Sequence, residues 1–213
     1  MRLQQYGGLS HSEIKQKLLY IPLFRQIEQY RADQLDLLLA CAQVQQVASQ
    51  GLVLRCGDRD DRVYFLLRGS LNVCLPGTTG AVVLRQVQPG EMFGELAFLL
   101  GQVRCANVEV APECKQAWVL SLEFELFDLY NSCGLLDYTG LNFFYQNLVH
   151  HLRFKLDLLR SEHPSHPLAS LHRKINVGKT SVQPLDNLLA LQKQARAMAE
   201  LLTQWNPALQ LLA

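Results

Sequence analysis

Residues 89–110 read PGEMFGELAFLLGQVRCANVEV. Gly90 and Gly94 allow tight turns and close backbone approach. Glu95-Leu96-Ala97 follows a glycine and can open a short helical turn whose free N–H groups converge on one spot. Arg104, nine residues after Glu95, supplies a forked donor suited to a phosphate. A glycine loop, a helix start and an arginine together make an anion site. An added carboxylate suits a sugar hydroxyl beside that phosphate, because it accepts from a hydroxyl and repels a second phosphate. The same residues also suit a surface salt bridge between Glu95 and Arg104 beside an ordinary turn. Spacing alone leaves both readings open.

On either side of this stretch, short apolar runs alternate with Gly, Pro and Asp punctuation. Strands are expected at 63–67, 71–75, 81–84, 107–110 and 117–122, with PGTTG at 76–80 as a hairpin loop. Turn signals every 8–12 residues or so suggest a small β-sandwich or barrel.

Helical patterns flank the strands. Residues 13–47 read as helices, one ending near Pro22 and a second from about Arg31 to Val47 with Asp33 as its cap. Beyond Phe124, Tyr145, Val149, Leu152, Leu156 and Leu159 recur at spacings of 4, 3, 4 and 3. They form a narrow seam on one long helix, about Leu141 to Arg160, which suits either a dimer partner or packing on the helix's own domain. Residues 161–184 hold three prolines and no sustained periodicity, so a linker is expected there. A last helix, about Leu185 to Gln204, carries the stripe Leu188, Leu191, Ala195, Met198, Leu202 and Trp205, with Asn206-Pro207 as its stop. That stripe either packs back on the molecule or docks a protein partner.

Residues 89–106 closely resemble the phosphate-binding cassette of the cyclic nucleotide-binding domain family, the module of protein kinase A regulatory subunits and bacterial catabolite activator proteins. The pattern is Gly94-Glu95-Leu96-Ala97, then Phe98-Leu99-Leu100, then Arg104-Cys105-Ala106. Gly57-Asp58, Tyr64-Phe65, Leu67 with Gly69, and Pro89-Gly90-Glu91 with Phe93 match the family's strand and turn signature. LLYIPLF resembles its helical lead-in. The resemblance implies a mainly β fold with flanking helices: a jelly-roll-like eight-stranded barrel over 13–134 and a long C-helix over 135–160. The linker over 161–184 and the C-terminal amphipathic helix over 185–205 rest on the composition and periodicity above.

The resemblance also implies a 3′,5′-cyclic nucleotide ligand. Arg104 would pair with the cyclic phosphate, and Glu95 would accept from the ribose 2′-hydroxyl. Backbone N–H groups around Leu96, Ala97 and Ala106 would complete the cradle at Gly94. Val73, Leu84 and Arg85 would lie near the base, with His150, His151 and Arg153 approaching it from the long helix. Cys105 stands where many members have Ala, Ser or Thr. Its thiol is a weak partner for a guanine amino group, so cAMP is expected over cGMP.

The formal net charge of +1 gives no global reason to bind nucleic acid or anionic lipid. A singly charged ligand needs one well-placed arginine rather than a basic surface. Residues 161–213 hold five Lys or Arg against three Asp or Glu and no three-helix pattern with a recognition helix. DNA binding is therefore disfavoured. A catabolite-activator-type transcription regulator with a reduced DNA-binding part stays as the alternative to a sensor acting on a protein partner. The longest apolar run, 18–24, is too short for a membrane span, and the first residues lack a signal-peptide core, so a cytoplasmic protein is expected. The six cysteines show no C-x-x-C pair, and no histidine spacing matches a metal site. Asn176-Val177-Gly178-Lys179-Thr180 lacks the first glycine of a phosphate-binding loop. No nucleophile elbow appears, so neither catalysis nor an enzyme cofactor is expected.

Overall fold

The computed structural model describes residues 9–75, 82–128, 135–175 and 183–212, without the side chains of 172–174 and 206–212. The expected hairpin loop at 76–80, the Gly178-Lys179-Thr180 stretch and Cys133 fall outside the described residues.

Three helices lead in: α1 (His11–Leu18), α2 (Pro22–Tyr30) and α3 (Ala32–Cys41). Ser10 and Glu13 form a reciprocal cap at the start of α1. Pro22 occupies the first turn of α2, where its missing N–H costs nothing. The cap expected of Asp33 is not made; Asp33 pairs with the Arg31 guanidinium at 2.7 Å instead.

Eight strands follow: β1 (Gln43–Ala48), β2 (Leu52–Leu54), β3 (Arg62–Arg68), β4 (Leu71–Leu75), β5 (Val82–Val87), β6 (Met92–Phe93), β7 (Asn107–Val110) and β8 (Gln116–Glu123). Residues 43–47 were expected to be helical and are not. They form β1, whose six residues pair with β8 from Gln43 opposite Ser121 to Ala48 opposite Gln116. A ladder with a neighbouring strand outweighs the local preference of a Gln-rich run.

The strands make two four-stranded antiparallel sheets, β1-β8-β3-β6 and β2-β7-β4-β5. β3 and β8 lie inside the molecule, buried on both faces. Val63, Phe65, Trp118 and Leu120 face the helices, while Tyr64, Leu66, Ala117 and Val119 face the second sheet. The architecture is therefore an eight-stranded two-sheet sandwich with helices covering one sheet. Phe24 of α2 meets Phe65 edge-on at 4.8 Å across that boundary.

A short helix, α4 (Glu95–Leu100), joins β6 to β7. After β8 come a 3₁₀ turn at Phe124–Phe127, the long helix α5 (Tyr138–Glu162), a 3₁₀ segment at Pro167–Lys174 and α6 (Pro184–Leu212). Asp137 caps α5 by accepting from Thr139 and Gly140 N–H.

α5 and α6 run side by side in the same direction. Asn142, near the start of α5, donates to Pro184 O at the start of α6. At the other end His166, beyond α5, lies 4.5 Å from the Trp205 ring. Parallel packing requires the chain to return along the full length of α5, about 37 Å at 1.5 Å per residue. The 3₁₀ segment at Pro167–Lys174, which lies between the two helices in the chain, packs on both of them. Part of the expected linker thus has structure of its own.

α6 covers the seam of α5 within the same chain. Tyr145, Val149, Leu152 and Leu156 are buried, as are Leu188, Ala195, Met198, Leu202 and Trp205. Of the two readings of each stripe, the intramolecular one is what the structure holds. α6 also continues through Asn206-Pro207 to Leu212, so that pair does not end it. Proline removes one helical N–H, while the packing up to Trp205 holds the helix in place.

Candidate functional site

The candidate site forms where β6, α4 and the 102–106 segment meet the second sheet and the far half of α5. Gly94, between β6 and α4, has φ +80°, a left-handed conformation. A Cβ there would stand 2.8 Å from Arg104 Nη1 and 3.1 Å from Tyr64 Cδ2. Both backbone and space therefore demand glycine.

Arg104 is pinned by its backbone. Its N–H donates to Asp58 O and its carbonyl accepts from Gly57 N–H, each at 2.8 Å. Its side chain, 2% exposed, runs inward with the guanidinium 5.4 Å from the Tyr64 ring centre. Nη1 donates to Gly94 O, and Nη2 donates to Arg62 O at 2.8 Å and Asp60 Oδ2 at 2.9 Å. Nε is buried and has no hydrogen-bond partner. Such an orphaned donor is costly unless something occupies the cavity beside it.

Glu95 is 1% exposed. Lys155 Nζ of α5 lies 2.5 Å from its Oε1, and His151 Nε2 lies 4.0 Å from the same oxygen. Burial raises the Glu95 pKa, but the Lys155 ammonium, the nearby His151 and hydrogen bonds to the carboxylate together outweigh it, and the carboxyl is held down at about 2. Burial, with help from the Lys155 charge, pushes His151 down to about 3, so it is neutral. Arg85 is paired with Glu91 at 2.8 Å.

One cavity gathers these groups, and its wall is mainly apolar. All seven expected cassette residues line it: Gly94, Glu95, Leu96 and Ala97 from the start of α4, and Arg104, Cys105 and Ala106 from the segment before β7. Val73, Leu84 and Arg85 line it from β4 and β5. His150, His151 and Arg153, expected near the base, do not line it. His150 points to solvent and His151 reaches Glu95 from behind. At 3.6 residues per turn, the face of α5 that meets the cavity carries Lys155, Leu158, Leu159 and Glu162 instead. α6 adds Leu202.

Sequence reasoning missed these five residues. One signal was available for Lys155: it stands four residues after His151 and so shares its face. Leu202 lies on the α6 stripe, but its place at the cavity depends on the parallel packing of α6. The neighbouring histidines have another use. The His163 and His166 rings lie 6.0 and 4.5 Å from Trp205. The five described cysteines carry thiols rather than disulfides. Among the described residues no helix is long and apolar enough to cross a membrane.

Comparison with known proteins agrees with this geometry. Residues 44–125 match the family model of the cyclic nucleotide-binding domain. The cyclic nucleotide-gated potassium channel mll3241 of Mesorhizobium japonicum is 29% identical over 80 residues, 38% of this chain. The match spans 21% of that channel's length. A cyclic nucleotide-binding domain from Methylobacillus flagellatus superposes with a TM-score of 0.59 at 15% identity, over 71% of this chain and 83% of that one. A cAMP-bound PfPKA-R fragment superposes with a TM-score of 0.50 at 14% identity, over 75% of this chain and 49% of that one. At these identities the structural likeness speaks for the fold. The two-sheet sandwich, its glycine-started short helix and the family match over the same residues agree: the chain carries a cyclic nucleotide-binding domain across residues 44–125.

Proposed function

We propose that the chain is a sensor that binds a cyclic nucleoside monophosphate, cAMP in preference to cGMP, and passes occupancy through α5 and α6 to a protein partner. The observation that carries this reading is the buried Arg104 guanidinium. It has an unpartnered Nε–H and shares a cavity wall with the Glu95 carboxylate. A cyclic phosphate has one negative charge, which a single buried arginine can neutralise without excess. Gly94, Leu96, Ala97 and Ala106 line the same wall and leave room for a sugar and phosphate. Val73, Leu84 and Arg85 would face the base.

The cAMP preference follows from Cys105. It lines the cavity with a thiol, a weak partner for a guanine amino group. Transmission follows from α5, which lends four residues to the cavity lining. A ligand that touches them can favour one placement of the helix pair over another. A homodimer would have to use surface outside the α5 seam, which α6 already covers. Phe154, 60% exposed on α5, is one such surface residue.

Calorimetric titration with cAMP and cGMP, with light scattering for mass, tests the reading. Saturable binding of cAMP at one per chain, tighter than cGMP, is the expected result. Absence of binding by both overturns it.

A further inference from the structure

Glu95 is the one carboxylate among the described residues lining the cavity beside the Arg104 cradle that is nearly fully buried, and it is not free. Lys155 Nζ sits 2.5 Å from Oε1, with the lysine side chain 12% exposed and Glu95 1%. Lys155 lies outside residues 44–125, on the helix that follows the matched domain. The carboxylate expected to accept a sugar hydroxyl thus already has a charged donor from elsewhere in the chain.

We propose that Lys155 is a specificity-determining residue of this pocket: by occupying Glu95 it competes with the ligand's sugar hydroxyl and makes the site tolerant of sugars that lack one. The proposal rests on the cyclic nucleotide reading above.

The argument is one of satisfied and unsatisfied groups. A buried carboxylate without a partner gains strongly from a hydroxyl donor, roughly tenfold to a hundredfold in affinity. A carboxylate already holding an ammonium gains much less, because its charge is compensated before the ligand arrives. A hydroxyl that displaced the ammonium would also leave Lys155 buried and unpaired, which is costly. Among the described residues Glu95 is the one carboxylate in an ion pair with Lys155. Glu91 is nearby but is engaged by Arg85, whose charge also opposes the ammonium. His151 Nε2 stands 4.0 Å from Glu95 Oε1, beyond hydrogen-bond distance, and has no hydrogen-bond partner, so Lys155 is the donor that holds the carboxylate. Arg104, by contrast, keeps an unpartnered Nε–H for the phosphate. Affinity is therefore expected to come from the phosphate end, with the sugar hydroxyl adding little.

The test is titration of the full chain with cAMP and 2′-deoxy-cAMP, in the wild type and in Lys155→Met. The expected wild-type ratio of affinities lies within about tenfold. Lys155→Met is expected to raise the ratio at least tenfold, through tighter cAMP binding. Lys155→Arg, which keeps the charge on Glu95, is expected to keep the wild-type ratio. A wild-type preference for cAMP above about tenfold overturns the proposal without any variant. So does an unchanged ratio in a folded Lys155→Met protein. Wild-type chain that binds neither nucleotide overturns the cyclic nucleotide reading itself, and the role of Lys155 with it.

Discussion

Arg104 Nη2 lies 2.9 Å from Asp60 Oδ2, and the same carboxylate oxygen accepts the Tyr64 hydroxyl. The cradle's cation is thus compensated from the loop before β3 while its Nε–H stays unpartnered. An incoming anion meets an arginine whose charge is already shared. Asp60→Asn keeps an acceptor oxygen and removes the competing charge. The expected outcome is cAMP binding tighter by about fivefold, in line with about 1 kcal/mol for a partly exposed pair. Calorimetry checks it, and weaker binding would show that the Asp60 charge serves to position the arginine.

Removing the guanidinium is expected to have the opposite effect. Arg104→Ala should weaken cyclic nucleotide binding at least tenfold, since a charge-assisted bond contributes roughly 1.5–3 kcal/mol. Equal affinity in the variant would dissociate the cavity from phosphate binding.

Gly94→Ala tests the cradle without touching a charge. The new Cβ would meet Arg104 Nη1 at 2.8 Å at a residue with φ +80°. A loss of at least tenfold in affinity is expected, with about 1–3 kcal/mol of destabilisation from the forced backbone. Thermal melts and calorimetry on the same sample read both effects.

Acid should loosen α5 from the cassette in two overlapping stages. His151 has its pKa lowered from 6.5 to about 3, so its contribution is complete above pH 6.5 and is lost as pH falls towards 3. Glu95 has its pKa lowered from 4.5 to about 2, so its contribution is complete above pH 4.5 and is lost as pH falls towards 2. Denaturant midpoints should be flat with respect to these two groups above pH 6.5 and fall below it. His151→Gln should remove the upper part of that fall and leave the lower part, which a pH series of urea melts resolves.

Trp205 is 1% exposed and lies against His163 and His166. Trp205→Ala is expected to cost about 3–5 kcal/mol. Faster amide exchange should appear along α6 and the covered seam of α5. Exchange unchanged in α5 would show that α6 is not what protects it.

Much of this molecule is legible in local sequence. β4 and β7 begin and end at the expected residues, and the other expected strands are found with shifted ends. Their alternating burial and turn residues are local properties. The cassette is legible for the same reason: Gly94 to Ala97 and Arg104 to Ala106 are two short runs joined by one helix. β1 is not legible, because its six residues become a strand only when β8 supplies the ladder. The α5 residues expected near the base, His150, His151 and Arg153, fall two to five residues short of Lys155, the first α5 residue that lines the cavity. His151 and Lys155 share a face, and only the docking angle of α5 decides which of them lines the cavity.

By itself the sequence determined the sandwich, the arginine and the carboxylate, because strand alternation, glycine turns and side-chain chemistry act over a few residues. Tertiary structure alone decided that α6 runs parallel to α5 and closes its seam, and that Leu202 reaches the cavity. It alone decided that Lys155, 60 residues beyond Glu95, occupies that carboxylate. Those outcomes depend on how long helices pack, and packing joins faces that no local pattern relates.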